Sequence, residues 1–188
     1  GLMTETDLKK RVAFAPIMKS SYPNTFWTED VSFYIDGTSF VFKSNPCDQA
    51  RRSKSKAWRK RREGLSPLCT AKGKKEGSGG KVAHFIVAIA YKKGVVLCEQ
   101  YEETFTGSYF ASFIKRHFPD TFLISANPNT KIFVQDGDPR QNSAPAKKAM
   151  TDIGAHCFSI PPRSPDINPM ENFFHRIQKQ LNRDAIQK

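Results

Sequence analysis

The 188-residue sequence has few cysteines, few acidic residues and no long apolar run. Its four cysteines are scattered, with no C-x-x-C pair, which disfavours a structural zinc site and fits a reducing compartment. The longest apolar run, Val82 to Tyr91, is interrupted by His84 and is too short to span a bilayer. No pattern typical of a secretory signal opens the sequence. We therefore expect no membrane partner and a location in the cytosol or nucleus.

The shortage of acidic residues leaves the chain strongly basic. It has 30 lysines and arginines against 18 aspartates and glutamates, for a net charge of +12. Such a balance favours polyanionic partners and says little about the fold. The cations are concentrated in residues 43–81, which hold 13 lysines and arginines against three acids and contain a GSGG run. This segment is predicted to be a basic insertion loop between strands.

The densest part of the insertion, RRSKSKAWRKRR, places eight cations around one tryptophan. That composition predicts contacts with DNA phosphates, and stacking of the tryptophan on a base or packing of it on a partner subunit. The predicted DNA-binding residues are Arg51, Arg52, Lys54, Lys56, Trp58, Arg59, Lys60, Arg61 and Arg62. A solvated basic loop or a nuclear-localisation tract is the alternative interpretation.

The length suits one well-packed domain, which we place at residues 31–188, after a linker helix within residues 1–30. Thr4 is expected to cap that helix, and Pro16 to kink it or end it early. The elements that follow are strands joined by hairpins and then alternating helices and strands. This order predicts an α/β fold with a mixed sheet and helices on its faces.

The predicted elements can be given bounds. Residues 31–43 should form two strands around a turn at Asp36-Gly37, with Val31, Phe33 and Ile35 sharing one face. Further strands are expected at residues 81–91, 94–101, 131–135 and 155–160. Helices are expected at residues 106–117, where Phe118-Pro119 should end the first, and at 142–153 and 169–187.

Three carboxylates are candidate catalytic residues because of their positions in the predicted elements. Asp36 and Asp136 each lie on a predicted strand before a glycine, and Glu171 lies in the first turn of the last helix. Strand ends and helix starts are rigid and can direct side chains into one crevice. Hard oxygen donors suit Mg²⁺ or Mn²⁺, and a pair of such ions supports in-line displacement at phosphorus.

Each carboxylate also has a simpler explanation. Asp36-Gly37 is a common hairpin turn pair, and Asn168-Pro169-Met170-Glu171 reads as a capping box with glutamate at its third helical position. Asp136-Gly137-Asp138 could be a turn, or the D-x-D of a metal-dependent glycosyltransferase. The residue types alone leave these alternatives open.

The histidines and Trp27 are interpreted mainly as structural residues. His84 and His156 lie in strand-like apolar runs and are expected to pack, and Trp27 is expected in the core. His117 is placed at a helix end, while His175, one turn after Glu171, is the histidine that could approach the site.

Three blocks surround the carboxylates: FYIDGTSFVF at residues 33–42, FVQDGDPRQN at 133–142 and PPRSPDINPMEN at 161–172. They resemble the first-Asp strand, the Q-D-N-D-P-K-H block and the S-P-D-L-N-P-I-E-N signature of the Tc/mariner superfamily of DDE transposases. The 34 residues between Asp136 and Glu171 match the spacing of its Tc branch. The WRKRR segment at Trp58 resembles the loop between the second and third strands of that family.

The resemblance implies an RNase H-like fold with a five-stranded mixed sheet flanked by helices. It implies that Asp36, Asp136 and Glu171 are the catalytic residues and the ligands of two Mg²⁺ or Mn²⁺ ions, whereas Asp138 stabilises a turn. The implied reaction is cleavage at transposon ends and strand transfer into target DNA at TA dinucleotides.

The resemblance also bears on partners and domains. The implied partners are terminal inverted repeats, target DNA and, in the full-length assembly, a second copy in a homodimer, reached across by the basic insertion. The implied location is the nucleus. The helix-turn-helix DNA-reading domains of the family are not found in the sequence. Gly137 stands where the family has asparagine, and Gly37 follows Asp36 where glutamate is usual. The alternative function is a domesticated, catalytically inactive DNA-binding or assembly module on the same fold.

Overall fold

The computed structural model describes residues 4–43 and 80–184. Most of the basic insertion, including all nine predicted DNA-binding residues, therefore lies outside the described residues. In chain order the elements are α1 (Glu5–Ser21), a π-helical turn (Phe26–Asp30), β1 (Val31–Lys43), β2 (Gly80–Ala90), β3 (Gly94–Tyr101), α2 (Gly107–Ile124), β4 (Ile132–Gln135), α3 (Ala144–Asp152), β5 (His156–Ser159) and α4 (Pro169–Asp184).

The strands form one mixed sheet in the order β3-β2-β1-β4-β5. The first three strands pair antiparallel, and β4 and β5 join the free edge of β1 in parallel. A tight turn joins β2 to β3, with positive φ at Lys92 and Gly94, and helices connect the parallel strands as such connections require. The predicted α/β class with a mixed sheet flanked by helices is confirmed.

The predicted turn at Asp36-Gly37 is wrong, because β1 is one continuous strand of 13 residues. Asp36 pairs with Val87 and Gly37 pairs with Ile86, in the middle of an uninterrupted antiparallel ladder with β2. The long partner strand pairs with β1 from Tyr34 to Lys43, so its hydrogen bonds keep the chain extended through Asp36-Gly37. Asp36 thus lies in the sheet interior and not at a hairpin tip.

The prediction that Val31, Phe33 and Ile35 share one face of the sheet is also wrong for Val31. The register between β1 and β4 shifts between Val31 and Phe33. Phe33 and Ile35 are buried on the side of the sheet covered by α2 and α3, whereas Val31 is buried on the opposite side. A local irregularity of this kind moves a side chain to the other face because side chains alternate along a strand.

Two cores lie on opposite faces of the sheet. The first is an aromatic core beneath α2 and α3, in which Phe33, Phe110, Phe118 and Phe133 are fully buried. The second lies beneath α4, where Tyr34, Val134 and Met170 pack with residues of the π-helical turn. Trp27 is half-buried at the edge of this second core, in edge-on contact with Phe26 and Phe158.

Pro119 is predicted to end a helix and Pro16 to kink or end one, and neither proline ends its helix. Pro16 lies inside α1 and Pro119 inside α2, which continues to Ile124. An interior proline costs a helix about 3 kcal/mol. Helix α2, however, buries Phe118, next to Pro119, and Phe122, beyond it, against the aromatic core. Burial of two phenylalanine side chains offsets a cost of that size. The predicted cap at Thr4 is confirmed, with a reciprocal box to Asp7.

Helix α1 has no buried residue, but Phe14 and Met18 contact the second core, and polar contacts also hold the helix to the domain. Arg11 donates two hydrogen bonds of 2.8 Å to the carboxylate of Asp166, and further bonds to Ser164 Oγ and the Arg163 carbonyl. Arg163 in turn lies 3.3 Å from Asp7. These contacts fix α1 against the loop that precedes α4. Among the described helices, none is long and apolar enough to cross a membrane.

Replacement of Phe118 with alanine is expected to lower the free energy of unfolding by about 3–5 kcal/mol, because it leaves a cavity in the aromatic core. Leu123 lies on the same helix but is 74% exposed, so Leu123→Ala should change stability by less than about 0.5 kcal/mol. Urea unfolding of both variants checks the prediction. Equal losses would contradict the burial of one face of α2.

Candidate active site

Asp36 and Asp136 are brought together by the parallel pairing of β1 and β4. Tyr34 pairs with Val134, so continuation of the same register places Asp36 beside Asp136, the first residue after β4. Tyr34 and Val134 both face α4. Because side chains alternate along a strand, the two carboxylates point to that same face.

The loop after β4 is shaped by its own acidic side chains. Asp136 Oδ1 accepts a hydrogen bond of 3.1 Å from the Asp138 N–H, and Asp138 Oδ1 accepts one of 2.7 Å from the Arg140 N–H. These successive turns lead the chain away from the sheet. The prediction that Asp138 stabilises the local turn is confirmed. Asp138 does not line the crevice that contains Asp136 and Glu171, which weakens the glycosyltransferase interpretation.

Glu171 lies in the first turn of α4 with an exposed side chain. The predicted capping box is only half present. Asn168 Oδ1 accepts the Met170 N–H at 3.0 Å, as an N-cap should, but the Asn168 N–H donates to the Ser164 carbonyl at 3.2 Å. The backbone donor that Glu171 would cap is thus already satisfied, and no described residue hydrogen-bonds the Glu171 carboxylate. The glutamate is free for another role.

One crevice contains the second and third carboxylates. Its volume is about 320 Å³, and Asp136, Glu171, Asn168, Arg163 and Ser164 are among its lining residues. Asp36 lies immediately behind this lining, where its Oδ2 accepts a 3.3 Å hydrogen bond from Asn168 Nδ2. A larger and more open cavity of about 660 Å³ lies between α1 and the start of α4. It contains none of the three carboxylates.

The charges in this crevice repel one another. Burial raises the pKa of Asp36 to about 7, with further contributions from the Asp136 and Glu171 carboxylates, while hydrogen bonds from Gly37 and Asn168 oppose the shift. Burial also raises the pKa of Asp136, against the hydrogen bond from the Asp138 N–H. Among described residues, no cationic side chain pairs with Asp36. The site therefore holds negative charge that a bound cation would neutralise.

The donor set fits a hard divalent cation, although it is not preassembled. In residues 4–43 and 80–184, no group of three carboxylate, imidazole or thiol side chains is arranged to hold a metal ion. The register of β1 with β4, the hydrogen bond from Asn168 to Asp36 and the crevice lined by Asn168, Asp136 and Glu171 nevertheless place the three carboxylates in one neighbourhood. The three carboxylates differ in burial, since Asp36 and Asp136 are half-buried and Glu171 is exposed. Oxygen ligands that retain open positions are what Mg²⁺ and Mn²⁺ use.

The structure separates the histidines from this crevice. His175 is exposed on α4 and is not among the crevice-lining residues. His84 Nδ1 lies 2.7 Å from Ser39 Oγ, within the sheet. His117 stacks on Phe113 and lies 3.8 Å from Glu99. The packing predicted for His156 is wrong, because β5 is an edge strand and His156 is exposed on it.

Sequence reasoning missed two contributors to the site. Asn168 was interpreted as a helix cap, and the contact of its amide with Asp36 spans 132 residues of sequence, so no local pattern indicates it. Arg163 lines the crevice with a positive φ of 55°. Its place in the PPRSP turn was visible, but its proximity to Asp136 depends on the fold.

Comparisons with known proteins agree with this geometry. The family model described as DDE superfamily endonuclease matches residues 47–188. No curated protein matches the chain. Among solved structures, the catalytic domain of Mos1 mariner transposase is similar, with a TM-score of 0.66 and 14% identity over 96% of this chain and 74% of that chain.

Two larger complexes show the same likeness. The Mos1 mariner paired end complex with Mn has a TM-score of 0.67 and 16% identity over 96% of this chain and 51% of that chain. The Mos1 transposase paired-end complex with left transposon end has a TM-score of 0.62 and 16% identity over 96% and 50%. The chain spans about half the length of these transposase chains. At identities this low, the structural similarity establishes the fold alone. It confirms the predicted RNase H-like fold.

Replacement of Asp36 with asparagine is expected to stabilise the metal-free protein by about 1–3 kcal/mol at pH 8. The pKa of Asp36 is raised from 3.8 to about 7 in the folded state. The destabilising effect of this carboxyl group therefore builds up as the pH rises from about 4 to about 7, is complete above 7 and is nearly absent at pH 4. Urea unfolding in EDTA at both pH values measures the difference.

Asp166→Asn is the control of opposite sign. The hydrogen bonds from Arg11 lower the pKa of Asp166, so its charge stabilises the fold at pH 8 and its loss should destabilise it. An Asp36→Asn protein no more stable than wild type at pH 8 would contradict the charge repulsion described above.

Proposed function

The chain belongs to the DDE superfamily of endonucleases, and from that premise we propose that it is the catalytic core of a Tc/mariner-type DNA transposase. Its proposed activity is metal-dependent cleavage of transposon ends and strand transfer into target DNA. The observation that carries the proposal is that Asp136 and Glu171 line one crevice while Asp36 lies directly behind its lining, beside Asp136 in register and hydrogen-bonded to Asn168.

Each carboxylate has a proposed role as a metal ligand. Asp36 and Asp136, in register on adjacent strands, are suited to share one cation between them, and Glu171 is suited to hold a second from the opposite side of the crevice. Two bound Mg²⁺ or Mn²⁺ ions would supply activation of the attacking oxygen and stabilisation of the leaving oxygen. One similar structure is the Mos1 complex with Mn, which supports the choice of metal.

Other residues of the chain have proposed roles in holding the substrate. Arg163 is the cationic residue that lines the crevice beside Asp136 and Glu171, and its guanidinium is suited to bind a DNA phosphate. Its present ion-pair partner is Asp7, at 3.3 Å, and the Arg163 side chain is 39% exposed, so it is accessible to a phosphate. The proposed partners are terminal repeats and TA-containing target DNA in the nucleus, bound by a homodimer.

A domesticated, catalytically inactive module on this fold is the second candidate. The observation that favours it is the absence of a preassembled set of three ligands among the described residues. The raised pKa of Asp36 favours the enzyme, since a binding module gains nothing from keeping buried carboxylates in mutual repulsion.

Asp136→Asn and Glu171→Gln should each reduce cleavage of DNA that carries the terminal repeats by at least about 10²-fold, because each removes a ligand of the ions that would stabilise the charge of the transition state. Asp138→Asn is the matched control, because its side-chain oxygen can still accept the Arg140 N–H. The assay uses the full-length protein with Mn²⁺ and reads nicked product. A wild-type protein that binds these ends and leaves them intact would favour the inactive module.

The basic segment at residues 51–62 is proposed to contact DNA phosphates. Neutralising four of its cations, by Arg59→Gln, Lys60→Gln, Arg61→Gln and Arg62→Gln, should flatten the plot of log affinity against log salt by about 3–4 units of slope. Fluorescence anisotropy with a DNA duplex between 50 and 200 mM salt measures this slope. An unchanged slope would show that the segment does not face DNA. Trp58→Ala is the companion variant, expected to weaken binding without changing the slope.

A further inference from the structure

Asn168 joins two parts of the candidate active site through one side chain. It is buried, with 6% of its surface exposed. Its Oδ1 accepts the Met170 N–H in the first turn of α4, and its Nδ2 donates to Asp36 Oδ2 in the middle of β1. One planar amide thus bridges the helix that carries Glu171 and the strand that carries Asp36.

The orientation of this amide follows from its neighbours. The Met170 N–H is a donor and needs an acceptor, so the oxygen of the amide must face the helix. The nitrogen then faces the Asp36 carboxylate, which only accepts. A reversed amide would set donor against donor and oxygen against oxygen. Both ends of Asn168 therefore hold it in a single orientation.

The other capped helices in the described part of the chain use simpler residues. Thr4, Thr106 and Ser143 begin α1, α2 and α3, and each caps its helix with a hydroxyl oxygen. A hydroxyl would satisfy the α4 backbone equally well. It is too short to bridge from there to Asp36 in the sheet. The asparagine thus does more than capping requires.

The two oxygens of Asp36 are held from different directions. Oδ1 accepts a 2.7 Å hydrogen bond from the Gly37 N–H, and Oδ2 accepts the bond from Asn168. Each carboxylate oxygen can accept a second partner. The two hydrogen bonds therefore fix the plane of the carboxylate and leave acceptor capacity on each oxygen.

We propose that Asn168 is a positioning residue, which orients the Asp36 carboxylate, the ligand of the first proposed ion, relative to the α4 turn that carries Glu171, the ligand of the second. This inference rests on the proposed function, in which both carboxylates are metal ligands. Partners that orient a metal ligand typically change metal affinity by about 10–100-fold when they are removed.

The decisive variant is Asn168→Ser, which keeps an N-cap oxygen for α4 and loses the donor to Asp36. The free protein should bind Mn²⁺ about 10–100-fold more weakly in calorimetric titration. Half-maximal cleavage should need correspondingly more Mn²⁺, while the unfolding midpoint stays near that of wild type. If the serine variant does not fold, Asn168→Thr provides the same comparison with another good N-cap residue.

Thr106→Ala is the matched control, because it removes a helix cap from α2 on the other face of the sheet. It should lower the unfolding midpoint and leave Mn²⁺ affinity unchanged. Wild-type Mn²⁺ affinity in Asn168→Ser would overturn the inference and leave Asn168 as a cap alone. A loss of Mn²⁺ affinity in Thr106→Ala as large as that in Asn168→Ser would also overturn the inference.

Failure of the proposed function is distinguishable from failure of this inference. A wild-type protein that binds Mn²⁺ and cleaves no DNA would refute the catalytic proposal, and the titration of the free protein would still decide the role of Asn168. A wild-type protein that binds no Mn²⁺ would overturn both.

Discussion

The parallel pairing of β1 with β4 is the constraint on which the rest of the site depends. It places Asp36 beside Asp136 in a half-buried position where both carboxylates resist ionisation. Asp36 cannot relax away, because β1 is also tied to β2 along ten consecutive pairs. The strand that carries the first carboxylate is thus held on both of its edges, by β2 and by β4. A divalent cation bound by rigidly held carboxylates relieves the repulsion between their like charges.

Such a site needs stability from elsewhere, and the sheet obtains it from the face that the carboxylates do not occupy. The core beneath α2 and α3 is built from phenylalanine rings in edge-on and stacked contact, among them Phe33 and Phe133 on the same two strands. The two strands therefore carry aromatic burial on one side and charge on the other. The two faces can differ in this way because successive side chains along each strand point to opposite faces of the sheet. Loss of packing on one face would disturb the register that creates the site on the other.

The sequence predicted the class of fold, the mixed sheet and most element positions, because hydrophobic periodicity and turn residues are local signals. It failed where a distant partner decides the local conformation. Asp36-Gly37 is a good turn pair, but the pairing of β1 with β2 forces an extended strand through it. Pro119 is a good helix stop, but burial of Phe122 extends α2 past it. The same limit applies to Asn168, whose cap to α4 is a local feature and whose contact with Asp36 is not.

The loop before α4 shows why a local pattern and a site can coincide in the same residues. The Ser164 carbonyl accepts a hydrogen bond from the Asn168 N–H, and the Ser164 hydroxyl accepts one from the guanidinium of Arg11 in α1. The Asp166 carboxylate accepts further hydrogen bonds from the same guanidinium. Because Ser164 satisfies the backbone of Asn168, the Glu171 carboxylate is not needed as a cap. The loop thus removes the structural use of this glutamate and leaves it for the crevice. A motif that resembles a capping box in sequence is converted by three-dimensional contacts into a helix start that presents a free carboxylate.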